Sequence, residues 1–148
     1  MKVALASDHG GINLRKEIGQ LLEELGIEYE DFGCDCSTSV DYPDYALPVA
    51  EKVVSGEFDK GILICGTGIG MCIAANKVKG IRCALVHDTF SAKATRAHND
   101  SNILTMGERV IGPGLAREIA QVWLTGEFEG GRHANRIAKI SEIEKKHL

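Results

Sequence analysis

Residues 65–70, Cys65-Gly66-Thr67-Gly68-Ile69-Gly70, follow directly on the apolar run Gly61-Ile62-Leu63-Ile64 and lead into Met71-Cys72-Ile73-Ala74-Ala75. An apolar run, a glycine-rich turn and a helix-forming run in that order describe a strand, a tight turn and a helix start, the building unit of an α/β fold. The same unit makes a site out of backbone. Glycines let consecutive N–H groups point into one concavity that holds an anion. The following helix adds partial positive charge at that spot, and a thiol in such surroundings is favoured as its thiolate. A base or nucleophile would then sit beside an oxyanion hole. Plainer readings stand next to this one, since cysteine is often buried for packing alone and such turns often only cradle a nucleotide phosphate. The dinucleotide fingerprint G-x-G-x-x-G/A fits at Gly66 and Gly68 but meets Met71 in the third place. Asp88, where a ribose-binding acid would stand, serves equally as a cap of the next helix. No Gly-Lys-Ser/Thr follows, which excludes a Walker A loop.

Strand and helix patterns alternate along the whole chain. Val3–Ala6 reads as a buried strand, and residues 12–25 place Leu14, Ile18, Leu21, Leu22 and Leu25 on one helical face ending at Gly26. A strand near Ile27–Phe32 is followed by a loop through Tyr42. Pro43 then opens a helix with Ala46, Ala50, Val53 and Val54 inward. Further strands are expected at Ile62–Cys65, Arg82–Val86 and Ile103–Met106, with a helix near 89–98 between the last two. Pro113 precedes a helix whose Leu115, Ile119, Val122 and Trp123 share a face. Repeated β-α-β units with near-continuous apolar strands predict a three-layer, doubly wound, Rossmann-like fold: a five-stranded parallel sheet with helices on both faces, in the order 2-1-3-4-5. The chain, 1–148, is expected to form one domain, with no internal repeat or linker to divide it.

Composition narrows the partners. A formal charge of −4 with no basic run argues against nucleic acid, and no apolar stretch approaches a membrane span of about 20 residues. Met1–Ala6 is interrupted too soon by Ser7-Asp8-His9 for a signal peptide. Five cysteines suit a reducing cytoplasm better than a disulfide framework. Cys34 and Cys36, without a second ligand pair at zinc spacing, read as loop thiols.

In a doubly wound sheet the carboxyl ends of strands one and three meet at the topological switch point. That brings Ser7-Asp8-His9-Gly10-Gly11 beside the 65–70 loop. Asp8 alone would pass for a helix cap and His9 for a surface residue; beside a thiol at the switch point both become site residues. His98-Asn99-Asp100 ends a helix, at the sheet's carboxyl side if Asn99 or Asp100 turns the chain, though a histidine there also suits the helix dipole. Arg132 and Arg136 project from one helical face with His133 nearby, as a phosphate clamp or as a solvated basic stripe. Arg109, after the fifth strand and Gly107-Glu108, offers a third positive charge or a partner for the neighbours of Glu108. The last segment, with Ile137, Ile140 and Ile143 after Gly130-Gly131, adds an apolar ridge to a core already closed. A homodimer is therefore expected, with this helix packing on a partner subunit.

Ala6-Ser7-Asp8-His9-Gly10-Gly11, Asp41-Tyr42-Pro43-Asp44-Tyr45, Cys65–Met71, Arg96-Ala97-His98-Asn99 and Arg132-His133-Ala134-Asn135-Arg136-Ile137 together resemble the type B ribose-5-phosphate isomerase family, over essentially the whole length. That family includes galactose 6-phosphate and allose 6-phosphate isomerases. The resemblance implies an aldose–ketose isomerisation of ribose 5-phosphate and ribulose 5-phosphate with no metal and no organic cofactor. It implies Cys65 as the base, where some relatives carry glutamate. The backbone of Gly66, Gly68, Ile69 and Gly70 would stabilise the enediolate, with Thr67 moving a proton between oxygens and Asp8 assisting. It further implies His98 as ring opener at a site shared between subunits of a dimer or a dimer of dimers. His9, Arg109, Arg132 and Arg136 would hold the phosphate, and Tyr42 and Asn99 would line the sugar. A six-carbon sugar phosphate is the alternative substrate. A non-catalytic nucleotide-binding module leaves Arg132 and Arg136 unexplained. A C-x5-R thiol phosphatase meets Met71 where its arginine belongs.

Overall fold

The computed structural model describes residues 1–148. Its elements are β1 (Lys2–Ser7), α1 (Ile12–Glu24), β2 (Glu28–Asp31), α2 (Pro43–Val54), β3 (Lys60–Cys65), α3 (Ile69–Ala75), β4 (Cys83–Leu85), α4 (Thr89–Asn99), β5 (Ile103–Gly107), α5 (Pro113–Thr125) and α6 (Arg132–His147). All strand pairings are parallel.

Side chains of successive strand residues point to opposite faces, so each central strand feeds two cores. Val3, Leu5, Ile62, Ile64, Leu104 and Met106 pack with α1, α4 and α5 around the fully buried Trp123. Ala4, Ala6, Leu63, Cys65 and Ile103 pack with α2 and α3. Cys65 therefore belongs to the α2–α3 face. Val54 and Leu115, expected inward, lie at the margins of their helical stripes and are exposed.

The sheet order is β2-β1-β3-β5-β4, which corrects the expected 2-1-3-4-5. β5 is buried along its whole length, whereas β4 is short and partly exposed. The longer, fully buried strand takes the inner place and the short one the edge. Right-handed crossovers then account for the helix layers. The chain moves outward from β3 to β4 over α3, and back to β5 over α4. These opposite directions put α3 beside α2 and α4 beside α5.

Two further features position the site. Arg15 of α1 is buried and donates to Ser7 Oγ (2.8 Å), the Cys34 carbonyl and the Asp31 and Asp35 carboxylates (3.1 and 2.6 Å). A buried cation needs such partners, and this set ties the 31–36 segment to the end of β1. Within that segment Cys34 and Cys36 turn their side chains toward one another, Cα atoms 5.3 Å apart. An extended pair at that spacing would lie about 7 Å apart; the chain bends here, after the positive-φ Gly33.

Helix α6 contributes no buried residue. It crosses its own chain's edge strand, with Glu144 Oε1 accepting from the Gly80 N–H at 3.2 Å. Ile140, Ile143 and Leu148 line a cavity of about 410 Å³ with Ile81, Arg82 and Ala84.

Candidate active site

Cys65 is the last residue of β3, 5% exposed, and pairs in register with Gly107 of β5. The strand ends pin the turn that follows: Glu108 N–H donates to the Cys65 carbonyl and Arg109 N–H to that of Gly66, each at 3.0 Å. The chain then doubles back through Gly68 at φ +77°, a left-handed conformation that favours glycine. Its N–H donates to Cys65 Sγ at 3.1 Å, and the Ile69 N–H donates to Thr67 Oγ1 at 3.2 Å. The turn thus serves the thiol as well as any incoming anion. The N–H groups of Gly66, Thr67, Gly70 and Met71 find no acceptor within the chain, and the first three, in the turn and the opening of α3, are the ones placed around an incoming anion.

The β1–α1 loop meets this turn as the switch-point argument requires. Asp8 is buried, donates its N–H to the Ile64 carbonyl (3.2 Å) and accepts from the Gly10 N–H through Oδ1 (2.8 Å). A Cβ placed on Gly10 would lie 3.1 Å from the Gly66 nitrogen, so the two loops touch. Helix α1 is capped by Gly11, which removes the capping role left open for Asp8. His9 is exposed; its Nδ1 accepts from the Val40 N–H at 3.1 Å, which leaves Nε2 as the protonated, outward nitrogen. The Tyr42 ring rests on Gly70, where a Cβ would lie 2.6 Å from it, and the Arg109 side chain lies over Gly66. Cys65, Thr67, Asp8, His9, Tyr42 and Arg109 therefore line one crevice with the backbone of residues 66–70.

The remaining site residues are elsewhere. A helix after a parallel strand runs back along the sheet. α4 starts at the carboxyl end of β4 and finishes where β5 begins, roughly 16 Å away for its 11 residues. His98 and Asn99 thus lie at the amino end of the sheet, which corrects the expected carboxyl placement. Asp100, at φ +45°, turns the chain into β5. Arg132 and Arg136, exposed in the first turns of α6, belong to this same end. Here Glu129 N–H donates to the Ala97 carbonyl at 3.0 Å, and the His98 and His133 rings stack 4.2 Å apart. Arg136 Nη1 is 3.4 Å from His133 Nδ1. Within one chain the crevice and the His98 cluster are two separate groups.

One group beside the turn, His87, and two behind α3, Cys72 and Cys83, escaped the sequence reading. His87, after β4, accepts the Gly107 N–H through Nε2 at 3.0 Å, and Gly107 packs against the Thr67 backbone. Burial depresses the His87 pKa, an effect the neighbouring Asp88 partly opposes. Asp88 itself accepts from Ser91 N–H (2.6 Å) and Oγ (2.9 Å), so it caps α4 and the ribose-acid reading falls away. Behind α3, hydrogen bonding from Cys83 pulls the Cys72 pKa down to about 7, while burial pushes that of Cys83 up. Nothing in the sequence pairs Cys72 with Cys83; their contact needs β4 to lie beside α3.

Comparison with known proteins gives the family of the chain. The family model described as Ribose/Galactose Isomerase matches residues 3–140. The putative sugar phosphate isomerase YwlF of Bacillus subtilis is 77% identical, covering 100% of both chains. Ribose-5-phosphate isomerase B of Escherichia coli is 48% identical over 98% of this chain and 97% of its own. The solved structure of Clostridium thermocellum ribose-5-phosphate isomerase B superimposes with a TM-score of 0.98 at 56% identity, covering 100% of both chains.

Proposed function

The chain belongs to the ribose/galactose isomerase family, and we propose that it interconverts D-ribose 5-phosphate and D-ribulose 5-phosphate by ring opening and a cis-enediolate. The observation that carries this reading is the Cys65 sulfur itself. It sits at a strand end, held by one loop N–H, beside three N–H groups that still lack an acceptor.

The chemical difficulty is a C–H proton next to a carbonyl, which is too weakly acidic to leave unaided. Cys65 takes the C2 proton of the open-chain aldose in its thiolate form and returns it to C1. Charge accumulates on the enediolate oxygens, where the free N–H groups of Gly66, Thr67 and Gly70 meet it. One such donor is typically worth about 3–4 kcal/mol. Thr67 Oγ1, exposed at the lip of the turn, passes the hydroxyl proton between O1 and O2 with Asp8 close by. Remote binding of the phosphate fixes the reacting carbon against the sulfur.

His98 has the ring-opening role, since imidazole exchanges protons near neutrality. It reaches the crevice from a second copy. A two-fold axis across the strands sets the carboxyl end of one sheet against the amino end of the other, and does so twice. Each crevice then receives His98, Asn99, Arg132 and Arg136 of the partner subunit, and His9 and Arg109 complete the phosphate site. Ile69 and Ile73 of α3, Leu85 at the sheet edge and Phe90 of α4 are exposed apolar side chains bordering the crevice, the kind of surface such a dimer buries. This reading includes a single catalytic domain, a dimer or a dimer of dimers, and a cytoplasmic place in the non-oxidative pentose phosphate pathway.

The test is isomerisation of ribose 5-phosphate by wild type and Cys65→Ala with EDTA present. Turnover should fall by roughly 10²–10⁴-fold in the variant, the range for loss of a positioned base, with sugar-phosphate binding retained. No wild-type turnover on ribose 5-phosphate, with turnover on allose 6-phosphate or galactose 6-phosphate, would move the chain to the six-carbon branch.

A further inference from the structure

His98 Nε2 lies 3.7 Å and His133 Nε2 3.9 Å from Glu129 Oε1, and one ligand atom from each residue lies within 4.8 Å of the others. The three come from separate places: the last turn of α4, the α5–α6 connection, and the first turn of α6. Their backbones are tied together. Glu129 N–H donates to the carbonyl of Ala97, the residue before His98, and His133 N–H donates to that of Gly130. The isomerase chemistry uses His98 and assigns nothing to Glu129 or His133.

We propose that His98, Glu129 and His133 form a binding site for a transition-metal ion of the Zn²⁺ class, and that its occupation inhibits the enzyme. Two imidazoles and one carboxylate suit Zn²⁺, Co²⁺ or Ni²⁺ and do not suit Mg²⁺ or Ca²⁺, which want oxygen alone. Tetrahedral coordination with bonds of about 2.0–2.1 Å sets ligand atoms about 3.3 Å apart. The three atoms therefore need to close by an ångström or so, with the stacked rings splaying to aim both Nε2 atoms at the ion. The chain offers three ligands, which leaves the fourth position open to water.

The inhibition rests on the isomerase reading; the binding does not. A metal on His98 Nε2 takes the lone pair with which that ring would accept a proton during ring opening. A metal on His133 Nε2 leaves Nδ1 protonated, so the Arg136 guanidinium, 3.4 Å from that nitrogen, has to turn away. One ion thereby disables the ring opener and displaces a phosphate arginine.

Full-length protein freed of metal with EDTA is titrated with Co²⁺ and then Zn²⁺, by absorbance and calorimetry, for wild type, Glu129→Gln, His133→Ala and Cys65→Ala. The expected result is one ion per chain and a cobalt d–d spectrum without the intense near-ultraviolet band of sulfur ligation. Affinity should weaken roughly tenfold or more in His133→Ala and be unchanged in Cys65→Ala. In assays with ribose 5-phosphate, Zn²⁺ should inhibit wild type and EDTA should reverse it. Glu129→Gln should keep basal turnover and require about tenfold more Zn²⁺ for the same inhibition. A sulfur-to-cobalt band, or affinity lost in Cys65→Ala and kept in His133→Ala, would overturn the site, as would absence of binding. Binding as expected in a protein inactive on every sugar phosphate would leave the site standing and remove the isomerase reading.

Discussion

The backbone N–H of Gly68 donates to the Cys65 sulfur across 3.1 Å, so the residue that turns the chain also holds the base. Gly68 does this at φ +77°, and a Cβ there would lie 2.7 Å from Leu85 Cδ1 and 2.8 Å from the Met106 carbonyl carbon. Gly68→Ala should therefore lose stability and catalysis together. Left-handed backbone costs a non-glycine residue about 1–2 kcal/mol before any clash. For a chain of this size that corresponds to a fall in Tm of roughly 2–8 °C. Turnover of the folded variant should drop more than tenfold, since a displaced turn carries the donor away from the sulfur. Thermal unfolding and kcat on one preparation check this; a destabilised variant with wild-type kcat would separate the turn from the chemistry.

His87 supports the same turn from behind. Its Nε2 accepts the Gly107 N–H only while that nitrogen is unprotonated, and burial holds its pKa below the usual histidine value of 6.5. The unfolded chain consequently binds the proton first as pH falls. Stability from this residue is complete above about pH 6.5, the unfolded value. It declines as pH drops from there through the lower folded value. His87→Gln, which has an amide oxygen to accept from Gly107, should show less of this decline. Chemical denaturation at several pH values between 5 and 8 measures it, and equal slopes for variant and wild type would discount His87.

Cys72 is the thiol most exposed to chemistry outside the crevice. Hydrogen bonding from Cys83 brings its pKa to about 7, whereas Cys83 is buried and pushed upward. Iodoacetamide should therefore label Cys72 with a rate that rises through a midpoint near pH 7, and leave Cys83 unlabelled. Peptide mapping by mass spectrometry distinguishes the sites. Cys83→Ala should shift the Cys72 midpoint upward, and an unmoved midpoint would show that Cys83 is not the cause.

What could be read in advance was local. The Cys65 turn is legible because a strand, a glycine turn and a helix start lie within fifteen residues. The meeting of Asp8 and His9 with Gly66 follows from one topological rule. The order of β4 and β5 was not legible, since a short, mostly apolar run reads alike at a sheet's centre and at its edge. His98 was misplaced for a physical reason: a helix after a parallel strand travels the sheet's full length, so the end of α4 cannot be at its start. Glu129 was invisible because its place beside His98 depends on the path of the α5–α6 connection. The approach of Cys34 to Cys36 likewise depends on a bend that a C-x-C spacing does not reveal.

The separation of Cys65 from His98 in one chain gives the sharpest test of the shared site. Cys65→Ala and His98→Asn homodimers should each be weakly active on cyclic ribose 5-phosphate, because every site lacks one of the two groups. In a mixed dimer, one site carries both defects and the other carries neither. Random exchange makes half the dimers mixed, so an equal mixture should recover about one quarter of wild-type activity. Recovery should need subunit exchange, driven by dilution or mild denaturant, and should follow its time course. Ile73→Glu, which puts a charge into the apolar border of the crevice, should give monomers in sedimentation and little turnover, although Ile73 touches no substrate. If the mixture stays at the level of its parents after proven exchange, His98 and Cys65 do not serve one site across the two-fold axis. Full activity in an Ile73→Glu monomer would carry the same message: a single chain would be working with His98 and the turn at opposite ends of the sheet, roughly the 16 Å length of α4 apart.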